Sequence, residues 1–92
     1  MEQKVINNES ESRFEYHDDG HVAMAGYQLK PDVIVLTHTE VPKELGGHGI
    51  GNKLAIAALE YARANDLRVI PLCPFMASFI EKHPEYKELV RT

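Results

Sequence analysis

The chain has 92 residues, with 10 basic and 14 acidic side chains and a formal net charge of −4. That length supports one hydrophobic core, expected as a single domain over residues 1–92, and the acidic balance argues against a general nucleic-acid binder. Cys73 is the only cysteine, which excludes an intramolecular disulfide and a thiolate metal cluster.

The residues from Met1 to Asn8 lack an apolar signal core, and no apolar run approaches membrane-spanning length. The expectation is a cytoplasmic protein with no membrane partner. The acidic excess lies early, at Glu2, Glu9, Glu11, Glu15, Asp18 and Asp19.

In chain order, Lys4–Asn7 reads as a short strand and Asn8–Ser12 as a polar turn. Arg13–His17 alternates, with Phe14 on one face and Arg13, Glu15 and His17 on the other. Asp18-Asp19-Gly20 is a hairpin turn signal, and His21–Leu29 continues as a strand. Lys30-Pro31-Asp32 turns the chain again. Val33–Val41 is the strongest strand, stopped by Pro42.

A helix is expected from about Gly49 to Asn65, with Ile50, Leu54, Ala57, Ala58 and Tyr61 at helical spacing. Arg68–Cys73 reads as a strand whose Pro71 marks an edge or an opening of the ladder. Pro74–Lys82 fits a helix with proline in its first turn, stopped by His83-Pro84. The type of Glu85–Val90 is open. The order is that of an α/β protein: a mostly antiparallel sheet followed by helix, strand and helix.

The most informative stretch is Glu44-Leu45-Gly46-Gly47-His48-Gly49-Ile50-Gly51, between the strongest strand and the long helix. A glycine-rich turn there places unpaired backbone N–H groups at a helix N-terminus, where the dipole also favours an anion. A phosphate-bearing ligand is the expectation. A dinucleotide fingerprint fails, because its third glycine would fall at Asn52 or Leu54. A P-loop fails too, because Asn52 holds the lysine position and Leu54 cannot ligate magnesium.

Four blocks carry a further likeness: His38-Thr39-Glu40-Val41-Pro42, Gly46–Gly51, Ile70-Pro71-Leu72-Cys73-Pro74-Phe75 and His83-Pro84-Glu85-Tyr86. In this order they resemble short, YjdJ-type members of the GNAT (Gcn5-related N-acetyltransferase) superfamily. The resemblance implies a minimal GNAT-like fold with strands splayed at the cofactor site. It implies acetyl-CoA as acyl donor, no metal, and an amine acceptor. The superfamily's pyrophosphate loop is usually Arg/Gln-x-x-Gly-x-Gly/Ala. Gly49 and Gly51 match its small positions, while Gly46 stands where Arg or Gln would be. Gly46, Gly47, His48, Gly49, Ile50, Gly51 and Asn52 are then the cofactor-binding loop. Thr39 and Val41 would pair with pantetheine through their backbone. The superfamily's first helices have no counterpart here, since strands fill residues 1–41, which leaves the acceptor side open or walled by a partner chain.

Cys73 and His38 are the candidates for chemistry. By resemblance Cys73 lies near the thioester, where a thiol could take the acetyl group or protonate the departing coenzyme A thiolate, favoured as thiolate by the helix start. Alternatively it is a small buried apolar residue. His38 interrupts an apolar strand, on the face of Ile34 and Leu36, and could take the amine's proton. Otherwise it is a hydrogen-bonded strand-end residue. Glu40 is a second base candidate on that face. His17 and His21 read as surface residues flanking a turn, and Met24, Met76, Phe75 and Phe79 as core. Lys82 or Lys87 could meet the 3′-phosphate. The expected activity is N-acetylation of an amine by a monomer or weak homodimer, the alternative being an acyl-CoA-binding module without catalysis.

Overall fold

The computed structural model describes residues 5–90. Five strands form one sheet in sequence order. They are β1 (Val5–Asn8), β2 (Arg13–Asp18), β3 (His21–Leu29), β4 (Val33–Glu40) and β5 (Arg68–Pro71). The first four pair antiparallel, and β5 runs parallel to β4. Between β4 and β5 the chain makes a 3-10 turn (Lys43–Leu45) and helix α1 (Ile50–Ala64). After β5 come helix α2 (Pro74–Lys82) and a 3-10 segment (Pro84–Leu89), which resolves the type of the last stretch. The first strand was expected from Lys4, which lies outside the described residues.

Local chemistry explains the boundaries. The β2–β3 hairpin closes at Asp18 and His21, and Asp19 and Gly20 take φ of 49° and 79°. Positive φ at both central residues matches the twist of paired strands. Helix α1 ends in a Schellman arrangement: Asp66 is left-handed at φ 55°, its N–H donates to Arg63 O, and the Leu67 N–H donates to Ala62 O. Pro74 opens α2, where a missing N–H costs nothing. His83 closes it by donating Nδ1–H to Phe79 O at 2.8 Å, its ring stacked on Phe79 with centroids 3.9 Å apart.

Pleating puts Phe14, Tyr16, Ala23, Ala25, Tyr27, Ile34 and Leu36 on one face, in one buried cluster with Leu54, Ala58 and Leu59 of α1 and Met76 and Phe79 of α2. Burying Leu54 and Leu59 alone contributes about 1.5–3 kcal/mol each. The opposite face carries Arg13, Glu15, His17, Met24, Gly26, His38 and Glu40. None of these residues joins that cluster, which leaves the face uncovered by it, although Val33 and Val35 are buried there.

One irregularity resets the pattern. Gly26 pairs with His38 and Tyr27 with Leu36, so Thr37 is an extra residue, a β-bulge. A bulge reverses the side-chain phase. His38 therefore does not share the face of Ile34 and Leu36, as simple alternation expects; it lies on the uncovered face with Glu40, and Thr39 turns to the helix side. Met24 is likewise not core: its sulfur accepts from Arg13 Nη1 at 3.6 Å on the uncovered face.

A candidate active site where two strands part

Strand β5 ends at Pro71, opposite Leu36, rather than at Cys73. The Leu36 carbonyl accepts from both the Leu72 and the Cys73 N–H groups, each at 3.0 Å. Beyond that point no ladder pair joins the two strands. Strand β4 runs on through Thr37–Glu40 while the chain at Cys73 turns into α2. The result is a parting of the two strands, a slot bridged by the Thr39–Cys73 side-chain contact, the splay expected from the resemblance.

The glycine loop borders this slot. Leu45 is buried and anchors the loop, and the Gly46 N–H donates to Lys43 O at 3.1 Å. Gly47 and Gly49 take φ of 81° and 70°, left-handed values that disfavour any side chain. Gly49 is the N-cap of α1. No side chain caps the helix and its first turn holds no acidic residue, so the amides meet no built-in anion. A cavity of about 310 Å³ opens there, lined by Val41, Pro42, Lys43, Leu45, Gly46, Gly47, Gly49, Ile50, Gly51, Asn52 and Phe75.

Two of these residues escape the sequence reading. Among the described residues Lys43 is the one charged residue lining the cavity. It precedes Gly46, where the Arg or Gln of the superfamily is missing, by one 3-10 turn. A Cβ at residue 46 would sit 3.3 Å from Lys43 O, a tight contact that this turn relieves only by a small shift. Phe75, expected in the core, is 39% exposed at the cavity wall, unlike the buried Met76 and Phe79. A Cβ on Gly51 would lie 2.9 Å from its Cζ. A side chain on Gly51 would therefore displace the Phe75 ring from the cavity wall. The available signal was position: Phe75 follows the proline that opens α2, a turn that faces the slot.

The remaining candidates separate. Cys73 is buried at 4% exposure, is the N-cap of α2, and has its Sγ 3.3 Å from Thr39 Oγ1. His38 is half-exposed on the other face of β4, with Nδ1 3.1 Å from Thr37 Oγ1 and Nε2 4.0 Å from Glu40 Oε2. Cys73 and His38 thus flank the slot from opposite sides and do not form a hydrogen-bonded pair. The side chain of His48 leaves the loop cavity and lines another of about 360 Å³ with Tyr16, Asp18, Asp19, His21 and Glu44. His21 Nδ1 is 3.9 Å from Glu44 Oε1 there. Among the described residues no group of His, Cys, Asp and Glu is placed to hold a metal ion. Lys87 pairs with Glu81 at 3.7 Å, and neither Lys82 nor Lys87 lines the loop cavity.

On the uncovered face, opposite Phe14 as expected, Glu15 is buried. It accepts from Arg13 Nε, from His17 Nε2 at 2.8 Å and from Asn8 Nδ2 at 2.9 Å. These donors, Arg13 foremost, hold its pKa down to about 2. Behind the slot, Tyr86 donates its hydroxyl to Glu60 Oε2 at 2.7 Å beneath the Arg63 guanidinium, 5.1 Å above its ring. Burial first, then Glu60, pushes its pKa up to about 12.

Comparison with known proteins fits this geometry. A family model described as GCN5-related N-acetyl-transferase matches residues 13–89. Protein NATD1 of Bos taurus is 38% identical over 52 residues, covering 56% of this chain and 46% of that protein. Protein NATD1 of Gallus gallus is 35% identical over 52 residues, covering 56% and 47%. The match thus spans about half the length of these curated relatives. A GCN5-like protein of Staphylococcus aureus solved by NMR superposes with a TM-score of 0.76 at 33% identity, covering 97% of this chain and 88% of the other. No helix of the described residues is long and apolar enough to cross a membrane. With its splayed sheet, its glycine loop at a helix start and a family match over residues 13–89, the chain belongs to the GCN5-related N-acetyltransferase family.

Proposed function

We propose that the protein takes an acetyl group from acetyl-CoA and passes it to an amine. The observation that carries this reading is the parting of β4 and β5 at Leu36 beside the uncapped start of α1. An acyl thioester fits a slot between strands, and its pyrophosphate fits free amides with helix-dipole support. In this account the backbone from Gly47 to Asn52 holds the pyrophosphate, with Lys43 supplying the cation that Gly46 cannot. Val41 and Phe75 line the path toward the thioester, and Thr39 pairs with pantetheine through its backbone.

The uncovered face is then the side from which the acceptor arrives. The amine lone pair attacks the thioester carbonyl carbon, a C–N bond forms, and the C–S bond breaks with its electron pair left on sulfur. His38 takes the amine proton at Nε2, and the Glu40 carboxylate stabilises the resulting imidazolium. On the helix side the Cys73 thiol has two roles open to it. It protonates the departing thiolate, or its sulfur attacks the thioester first, coenzyme A leaves as the thiol with the Cys73 proton, and the amine then attacks the acetyl-cysteine and expels the Cys73 thiolate.

Incubation with radiolabelled acetyl-CoA, with and without a panel of amines, tests this. Label on an amine supports transfer, and label retained on denatured protein supports an acetyl-cysteine. Binding without label on either favours an acyl-CoA-binding module, a second reading supported by the glycine at position 46, where the superfamily's loop carries Arg or Gln.

A further inference from the structure

We propose that Gly26 and Thr37 form a seat that positions the His38 imidazole at the slot, an inference that rests on His38 acting as the base. Gly26 lies inside the longest strand, where glycine is a poor choice because it has no side chain to pack. Its φ is not in the left-handed region, so backbone conformation does not require it. Space does. A Cβ at residue 26 would lie 2.6 Å from His38 Cε1, 3.0 Å from His38 Nδ1 and 3.2 Å from Thr37 Oγ1. The imidazole thus occupies the position that any other residue at 26 would fill.

Burial does not explain this arrangement, since the His38 side chain remains 51% exposed. Three features converge on its orientation instead. The extra residue Thr37 swings His38 to the acceptor face. Thr37 Oγ1 engages Nδ1 at 3.1 Å. The missing side chain of Gly26 leaves the ring room against β3. In the tautomer whose Nδ1–H donates to Thr37 Oγ1, the Nε2 lone pair is the free one, on the Glu40 side. Gly26 and Thr37 are positioning residues: they act through His38 and touch no substrate in this scheme.

The test uses n-butylamine as acceptor, small enough to need no acceptor pocket, with thiol release from acetyl-CoA as the readout. Gly26→Ala should lower kcat at least about tenfold and leave KM for acetyl-CoA within about twofold, because only the base is displaced. In a His38→Gln background the same change should cost no more than about twofold, because the seat then has nothing to position. An equal loss in both backgrounds would overturn the proposal, as would full kcat in Gly26→Ala when His38→Gln is slow. Unchanged turnover in His38→Gln, or no butylamine acetylation by the native protein, would overturn the base assignment and the seat with it. Should Gly26→Ala fail to fold, Thr37→Val keeps the side-chain shape and removes the contact to Nδ1. It should lower kcat at least about threefold, with recovery in Thr37→Ser, and an unchanged kcat would overturn the proposal.

Discussion

Thr39 Oγ1 lies 3.3 Å from Cys73 Sγ, tying the chain's single thiol to the strand that leaves β5 just beyond Leu36. The bulge at Thr37 creates this contact by turning Thr39 rather than His38 toward the helices. It also divides the slot chemically, with thiol and hydroxyl on the helix side and imidazole and carboxylate on the open side.

Cys73→Ser keeps a donor beside Thr39 while removing the thiol. The variant should fold, with a melting temperature within about 4–8 °C of native, and should transfer acetyl at least about tenfold more slowly. Thermal melts and a steady-state assay check both. Native turnover in the variant would make Cys73 a packing residue.

The loop should respond to backbone and charge separately. Gly49→Val forces a β-branched residue into a φ of 70°, at a cost of about 1–2 kcal/mol, and misdirects the first amides of α1. Calorimetry on the folded variant should show much weaker coenzyme A binding. Lys43→Ala should weaken coenzyme A about two- to fivefold at low salt, the size of an exposed charge contact. Pantetheine, which has no phosphate, should be unaffected. Equal losses for both ligands would remove Lys43 from the phosphate site.

Glu15 should give the native state an acid limit. Its folded pKa of about 2 is below its ordinary 4.5, so the unfolded chain binds the proton more tightly. The stabilisation is complete above 4.5 and is lost as pH falls toward 2. Urea titrations across this window should show native stability falling more steeply than that of Glu15→Gln. Parallel curves would remove Glu15 as the cause.

Tyr86→Phe deletes a hydrogen bond to the Glu60 carboxylate and should cost about 1.5–3 kcal/mol. The urea midpoint should drop with an unchanged slope, since the surface exposed on unfolding is the same. A midpoint equal to native would mean that the exposed Glu60 carboxylate is as well solvated by water as by Tyr86.

Much of this architecture was legible in the residues. The Asp18-Asp19-Gly20 turn, the proline start of α2 and the apolar periodicity of α1 are local signals, and each element formed where its signal lay. The slot was legible through Pro71 and the resemblance of the blocks around it. What stayed hidden depended on pairing between distant residues. Nothing local at Thr37 marks a bulge, so alternation placed His38 on the wrong face; only the register against Gly26 and Tyr27 corrects it. The burial of Glu15 had no local signal, because its three donors come from β1 and β2 together. Phe75 looked like core because hydrophobicity does not reveal that α2 opens beside a slot.

Backbone amide shifts recorded while acetyl-CoA is added to the native protein test the central claim most directly. The account expects saturable changes concentrated at Gly47–Asn52, at Thr39 on β4 and Val41 just after it, and at Cys73 and Phe75 across the slot. Saturable binding that leaves these amides unmoved, or no saturation at all, would contradict it.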